Sequence, residues 1–171
     1  MQWALGRDES GPVEFFNLTA TWPPKDALYT TPPTFSFDYR YADGTLVSVA
    51  NQMDFGSGIA FEGELGSITC VRGGLKVEPD ELRRPLKDGD VRLYESKDHF
   101  RNFIDAIQDG TKPAAPIETA HRSITIAHLA NIALRLGREK LRWDPQTERV
   151  VGDDEADAMR VRSMRGPWEL A

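Results

Sequence analysis

The sequence predicts an α+β fold in which an open, mainly antiparallel β-sheet has helices packed on one face. Strand-like segments come first along the chain and helix-like segments follow, an order typical of α+β proteins. The strand-like segments also alternate apolar and polar residues, as antiparallel strands with one solvated face do. We expect residues 1–171 to form a single domain of this class.

The composition is that of an ordinary globular domain. The chain has 171 residues, 40% hydrophobic and 28% charged, which is enough to build a core. No apolar stretch approaches the ~20 residues that span a bilayer, and no basic-then-apolar leader is present, so we expect a cytoplasmic protein without a membrane partner. The net charge of -6 and the dispersed basic residues argue against a nucleic-acid partner.

The first segments predict a helix end and a loop. Residues 2–6, Gln-Trp-Ala-Leu-Gly, have helical apolar spacing that stops at a glycine, as in the last turn of a helix. Residues 18–34 contain two proline pairs, after Trp22 and after Thr31, and this density of proline is typical of an extended surface loop.

A two-residue period begins at Thr34 and predicts a half-buried strand with four aromatic residues on one side. Asp43 and Gly44 then predict a tight hairpin turn, with a returning strand over residues 45–51. Further strands are expected at residues 58–62, 67–72 and 74–78. A meander of about five strands is the simplest topology. The four aromatic residues are Phe35, Phe37, Tyr39 and Tyr41.

Two helices should follow. The first opens near Ser96 or Asp98, ends at Gly110 and carries apolar residues at helical spacing, so it should lie on one face of the sheet. The second opens near Glu118 or Thr119, ends at Gly137 and is apolar most of the way round, which predicts burial on more than one side. A short strand at 141–143 and a short helix at 153–159 complete the chain.

The sheet should keep one face open. Thr34, Ser36, Leu46 and Ser48 lie opposite the aromatic row and carry no charge. An open sheet face with several uncharged residues can pack against a second copy of the chain, which predicts a homo-oligomer formed through this face.

Few residues suggest chemistry of their own. Cys70 sits in an apolar alternating run, where a buried thiol is favoured over a nucleophile. The string Gly56-Ser57-Gly58 has the wrong spacing for a dinucleotide turn and leads into a strand instead of a helix. The acidic residues at 153–155 are typical of a helix start and are not expected to bind a metal.

Two of the three histidines are candidates for a hydrogen-bonded role, and His121 is also a candidate to face a ligand. His121 and His128 are seven residues apart on the second helix, ~10 Å along its axis, so the pair alone cannot hold one metal ion, and we expect no metal. Each is expected to lie in the core or a cleft, whereas His99 should be exposed. A hydrolase built on His121 is an alternative, although no Gly-x-Ser-x-Gly elbow is present.

The most specific pattern runs from residue 99 to residue 113. It reads His-Phe-Arg-Asn-Phe-Ile-Asp-Ala-Ile-Gln-Asp-Gly-Thr-Lys-Pro and resembles the H-x-x-N-F-hydrophobic-D-x-I-x-x-G-x-x-P stretch of Gfo/Idh/MocA-type oxidoreductases. Other strings are similar to the C-terminal domains of a bacterial, planctomycete-like subgroup of that family. They lie at residues 2–6, 11–14, 118–123, 136–137, 141–145 and 165–168.

The resemblance implies a two-domain enzyme whose N-terminal Rossmann domain binds NAD or NADP and whose C-terminal domain shapes the pocket for a sugar, cyclitol or related polyol. The family's acid/base histidine, its aspartate and its Glu-Lys-Pro lysine precede the string at residues 2–6. This chain begins at Met1 without them. We therefore expect no catalytic residue, no cofactor-binding residue and no N-terminal Rossmann domain in this chain.

Four residues are expected to contact the substrate. His121 and Arg122 lie near the start of the second helix, at a plausible cleft edge, and Trp22 and Lys25 lie in the proline-rich loop. The alternative function is a stand-alone structural or ligand-binding module that dimerises through its sheet and has no redox activity.

Overall fold

The computed structural model describes residues 1–52 and 56–167, which form two compact units. The large unit contains Gln2–Gln52 and the described residues from His121 onward. The small unit is built from residues 56–120. In chain order the strands and helices are β1 Glu14–Thr21, β2 Thr34–Arg40, β3 Leu46–Ala50, β4 Gly58–Gly63, β5 Gly66–Val71, β6 Gly74–Glu78, α1 His99–Asp109, α2 Ile117–Arg135, β7 Lys140–Asp144, β8 Arg149–Val150 and α3 Asp154–Ala158. Short 3-10 turns occupy Trp3–Leu5 and Asp80–Leu82.

The large unit contains a five-stranded antiparallel sheet in the order β3-β2-β1-β7-β8. The predicted hairpin joins β2 to β3. Gly44 there has φ of 91°, and the amide of Tyr41 donates to the carbonyl of Thr45. A positive φ is available to glycine without a Cβ penalty, which explains the turn.

The core of the large unit lies on one face of this sheet. Val47, Tyr39, Phe15 and Leu141 are paired across four neighbouring strands, and all are buried. The ring of Phe15 lies 5.9 Å from that of Tyr39, and burial raises the pKa of Tyr39. Helix α2 supplies further buried side chains of this unit, as its apolar pattern predicted. They are Ile126, Leu129, Ala130, Ile132 and Ala133.

The central strand β1 contradicts the prediction that residues 18–34 form one loop, because residues 18–21 belong to the strand. Asn17 has φ of 52°, and the pairing with β2 shifts register between Phe16 and Thr19. A β-bulge of this kind interrupts the alternation of side chains. The two-residue period therefore fails in the strand at the centre of the sheet, and the observed loop covers only 22–33.

The small unit contains a separate three-stranded meander, β4-β5-β6. The prediction of one meander of five strands is therefore wrong, although the three strands lie close to their expected positions. Cys70 on β5 is exposed, which corrects the expectation of a buried thiol. One side of the meander carries Ile68 and Leu75, which are 38% and 51% exposed, so its apolar face is open around that cysteine.

Helix α1 has the predicted ends. The carboxylate of Asp98 accepts a hydrogen bond from the amide of Arg101, and Gly110 adopts a left-handed conformation after the last turn. The apolar residues of α1 are exposed. Their exposure does not support the prediction that α1 packs on one face of the sheet. Phe100, Phe103, Ile104 and Ile107 are 85%, 57%, 45% and 64% exposed.

The acidic residues at 153–155 begin α3, as predicted. Asp153 caps the helix by accepting from the amide of Ala156 and also pairs with Arg138 at 2.6 Å.

The predicted strand near 141–143 is β7, and it pairs with the unpredicted strand β8. Trp168, part of the predicted extended end, lies outside the described residues, and no helix within them is long and apolar enough to cross a membrane.

Candidate functional site

His121 and Arg122 lie in the second turn of α2, in the large unit. Both side chains contact the same carboxylate, that of Glu148. The Nε2 atom of His121 lies 2.8 Å from Oε1 of Glu148, and Nη1 of Arg122 lies 2.9 Å from the same oxygen. Arg122 also donates to the carbonyl of Pro145 at 2.7 Å. The two residues predicted from the sequence therefore belong to one cluster, which we call the His121 cluster: His121, Arg122, Pro145 and Glu148.

The turn between β7 and β8 positions Glu148. Asp144 closes this turn by accepting from the amide of Gln146 at 2.9 Å and from the hydroxyl of Thr147 at 2.7 Å. The hydroxyl of Thr147, followed by the Gln146 amide, holds the pKa of Asp144 below its usual value. Glu148 then adopts φ of 52°, a conformation that non-glycine residues rarely take. Strained backbone at a turn that presents a polar side chain is a frequent feature of binding sites.

Exposure distinguishes the two basic members of the cluster. The side chain of Arg122 is 19% exposed and is held by a carboxylate and a backbone carbonyl, so it supports the turn. The His121 side chain is 45% exposed. Within the described part of the chain its Nδ1 has no hydrogen-bond partner, so the ring is oriented by Glu148 at one nitrogen and available to a ligand at the other.

Trp22 and Lys25 lie in the loop that follows β1, in the same unit. Both are exposed, Trp22 to 40%. Among the described residues no hydrogen bond or ion pair connects either of them to the His121 cluster. The structure therefore brings together His121 and Arg122 but does not join them to the two loop residues.

The role of Glu148 as the common partner of His121 and Arg122 was not predicted from the sequence. This residue lies in a polar stretch, Gln-Thr-Glu-Arg, that has no apolar period and no motif. Its role depends on the pairing of β7 with β8, a two-residue strand that carries too few residues for a period to show. The one signal in the sequence was an acidic residue in a short polar stretch, and nothing there showed that it would contact α2.

The other histidines do not form a site in the described ranges. His99 is exposed at the start of α1, which confirms its prediction. His128 is also exposed, so the prediction that it lies in the core or a cleft is wrong, because the buried stripe of α2 passes through its neighbours Leu129 and Ala130 instead. No three His, Cys, Asp or Glu side chains within residues 1–52 and 56–167 are grouped as metal ligands.

The glycines at 56–58 do not fit a dinucleotide. Gly58 begins β4, and a Cβ on it would lie 2.6 Å from the carbonyl oxygen of Cys70 and 2.7 Å from the side chain of Val71. The space beside Gly58 is therefore filled by strand β5. A phosphate cradle needs glycines that open onto a helix start, and this segment leads into strand β4 instead.

Comparison with known proteins identifies the family. The family model of the Gfo/Idh/MocA oxidoreductases described as "Oxidoreductase family, C-terminal alpha/beta domain" matches residues 1–170. No curated protein and no solved structure matches the chain. The observed α+β fold, with its mainly antiparallel sheet and few helices, is consistent with that domain. The chain therefore belongs to the Gfo/Idh/MocA oxidoreductase family as a C-terminal alpha/beta domain.

Proposed function

We propose that this domain binds the substrate and assembles the oligomer of an NAD(P)-dependent oxidoreductase acting on a sugar, cyclitol or related polyol. The observation that carries the proposal is the match of residues 1–170 to the family's C-terminal domain. In this proposal the dinucleotide and the catalytic residues belong to a separate domain of a cytoplasmic enzyme of the bacterial, planctomycete-like subgroup.

The His121 cluster is the proposed substrate contact. A polyol presents hydroxyl groups, which both donate and accept hydrogen bonds. Because Nε2 of His121 donates to the Glu148 carboxylate, Nδ1 of a ring in that tautomer is left to accept a hydrogen bond from such a hydroxyl. Glu148 fixes the ring at Nε2, so a ligand meets an oriented side chain. Trp22 offers an exposed aromatic surface to the C–H face of a polyol, and Lys25 a cationic donor to its hydroxyls.

Ligand-detected NMR with myo-inositol and with D-glucose tests the substrate contact. Saturation transfer from the folded chain to one of these polyols is expected, and His121→Ala should reduce it at least threefold. His128→Ala is the matched control, because His128 is an exposed histidine on the same helix. Equal transfer in the two variants, or none from the unmodified chain, would refute the assignment of His121.

The open face of the five-stranded sheet is the proposed oligomer contact. Its centre is polar: the hydroxyls of Thr19 and Ser36 lie 2.7 Å apart, and Asn17 donates to Asp38 at 2.7 Å. A flat face of this kind can be self-complementary across a two-fold axis.

Light scattering after size-exclusion chromatography tests the oligomer contact. The unmodified chain should elute as a dimer or larger at micromolar concentration, and Ser36→Arg should dissociate it, since a long charged side chain would stand in the middle of the face. Ser123→Arg places the same side chain on an exposed position of α2 and should leave the mass unchanged. A monomeric unmodified chain would contradict the proposal.

A further inference from the structure

A row of charged side chains crosses the open face of the five-stranded sheet near one end. Glu14 on β1 is paired in register with Arg40 on β2 and with Arg142 on β7. Directly paired residues on one face of an antiparallel sheet have Cβ atoms about 4.5–5.5 Å apart. Glu14 therefore stands between two arginines, and Lys140 lies within reach of it on β7.

The cations of this row outnumber its carboxylate. Glu14 accepts from Lys140 at 2.8 Å and lies 3.7 Å from Arg40. The Lys140 hydrogen bond, followed by the charges of Lys140, Arg40 and Arg142, holds the pKa of Glu14 below its usual value. One ionised carboxylate among three cations leaves two positive charges in excess.

Arg142 carries much of this excess. No hydrogen bond or ion pair to its guanidinium occurs within the described residues. Arg40, by contrast, also lies over the ring of Phe16 at 4.9 Å. Arg142 therefore presents its planar set of N–H donors to whatever approaches the face, and such a set matches carboxylate and phosphate oxygens.

The row borders a concavity of about 370 Å³, lined by Glu14, Arg40 and Arg142 together with Tyr41 and Gly44 of the β2–β3 hairpin. The concavity is wide open to solvent, so it can admit a small anion to the arginine side chains that line it. Two other carboxylates belong to the β2–β3 hairpin: Asp43 is paired with Arg7, and Asp38, two residues from Arg40, accepts from Asn17. We call this concavity the basic bay.

We propose that the basic bay binds the oxyanion of a small molecule, a carboxylate or a phosphate group, with Arg142 as the principal donor and Arg40 and Lys140 as supporting cations. Glu14 competes with the anion for these supporting cations, since it accepts from Lys140 and lies 3.7 Å from Arg40. The bay lies beside the hairpin at the end of the sheet, away from Ser36 and Thr19. The site is independent of the proposed substrate contact at His121, which involves other residues.

Calorimetric titration of the purified chain with inorganic phosphate and with acetate tests the proposal, at constant ionic strength set with sodium chloride. Binding of at least one anion with a millimolar dissociation constant is expected, and it should weaken when the titration is repeated at a higher fixed concentration of sodium chloride. Arg142→Gln should weaken it at least fivefold. Arg72→Gln, at an exposed arginine without an ion pair in the described structure, should leave it unchanged.

Glu14→Gln gives a change of opposite sign. Removing the carboxylate raises the excess from two charges to three and frees Lys140, so anion affinity should rise at least twofold. Urea unfolding of each variant establishes that it is folded. Phosphate and acetate distinguish the two oxyanion sources, and preference for either supports the site.

Three results would overturn the proposal: no heat for either anion beyond the chloride control, binding that Arg142→Gln leaves intact, or affinity that falls in Glu14→Gln. Loss of the oligomer in Arg142→Gln without any anion binding would instead assign Arg142 to the contact between copies. Failure of the anion site would leave the family membership, the His121 contact and the Ser36 test unaffected.

Discussion

The two units of the chain use similar sequence patterns with different results. In the large unit the apolar face of the sheet is covered, and Phe15 and Phe37 are 0% and 6% exposed. In the small unit helix α1 has an equally regular apolar stripe, yet Phe100 and Phe103 are 85% and 57% exposed. Periodicity thus tells which side of an element is apolar, but what covers that side depends on contacts that are distant in sequence.

The largest expected difference between the units is in core truncation. Phe15→Ala removes a fully buried ring from the central strand and should lower the free energy of unfolding by about 3–5 kcal/mol. Phe100→Ala removes the same atoms from an exposed position on α1 and should cost less than about 1 kcal/mol. Urea unfolding followed by far-ultraviolet circular dichroism measures both, and similar losses would show that α1 is covered in solution.

A glycine substitution probes the packing of the meander in the small unit. Gly66 has φ of 146° at the start of β5, and a Cβ there would overlap the carbonyl of Glu78. Gly66→Ala should therefore destabilise the meander by more than about 1 kcal/mol. Gly63→Ala is the control, since its Cβ would meet only the Gly66 carbonyl at 3.9 Å. Hydrogen exchange of the β5 amides reports the effect, and equal protection in both variants would argue against the observed strand register.

Acid should weaken the large unit through Asp157. The hydrogen bond from Arg160, together with the Val150 amide and the charge of Arg149, holds the pKa of Asp157 at about 2. This value lies below the ordinary aspartate pKa of about 3.9. The stabilisation is therefore fully present above about pH 4 and is lost as the pH falls towards 2.

The test compares the urea midpoint of the unmodified chain with that of Asp157→Asn between pH 7 and pH 2.5. The urea midpoint of Asp157→Asn should be lower than that of the unmodified chain at pH 7. The difference between the two midpoints should shrink below pH 4. Asp109→Asn, at an exposed residue of α1, should keep the acid dependence of the unmodified chain. A constant difference between the two urea midpoints across the whole pH range would mean that Asp157 stabilises the fold without its charge.

The smallest effect is expected at the His121 cluster. Glu148→Gln preserves the shape of the side chain but removes the charge that faces His121 and Arg122, and partly exposed pairs contribute about 1 kcal/mol or less. A thermal unfolding midpoint within a few degrees of the unmodified chain is expected, with Glu64→Gln on an exposed turn as the control. Collapse of the fold in Glu148→Gln would make the cluster a structural centre and count against its proposed ligand role.

Much of the fold could be predicted from the sequence, and the failures have identifiable causes. Strand β2, its hairpin and both long helices follow from period, caps and turn residues. Strand β1 was missed because a bulge at Asn17 breaks the alternation, and β8 because two residues show no period. The division into two sheets was missed because alternation marks strands without saying which of them pair.

The candidate site was predictable to a smaller extent. The position of His121 and Arg122 at a helix start could be read from the chain, whereas their common partner Glu148 depends on how β7 returns through its turn. The basic bay could not be predicted from the sequence. Its three cations come from β2 and β7, which are about a hundred residues apart and become neighbours of Glu14 only through the register of β1.

The central claim is that this chain is the substrate and assembly domain of an oxidoreductase and does not bind the dinucleotide itself. Titration of the folded chain with NADH and NADPH, followed by quenching of its four tryptophans and by nicotinamide fluorescence, tests that claim most directly. We predict no saturable change up to millimolar dinucleotide. Saturable binding with a micromolar dissociation constant would contradict the account and would require a phosphate site within this chain.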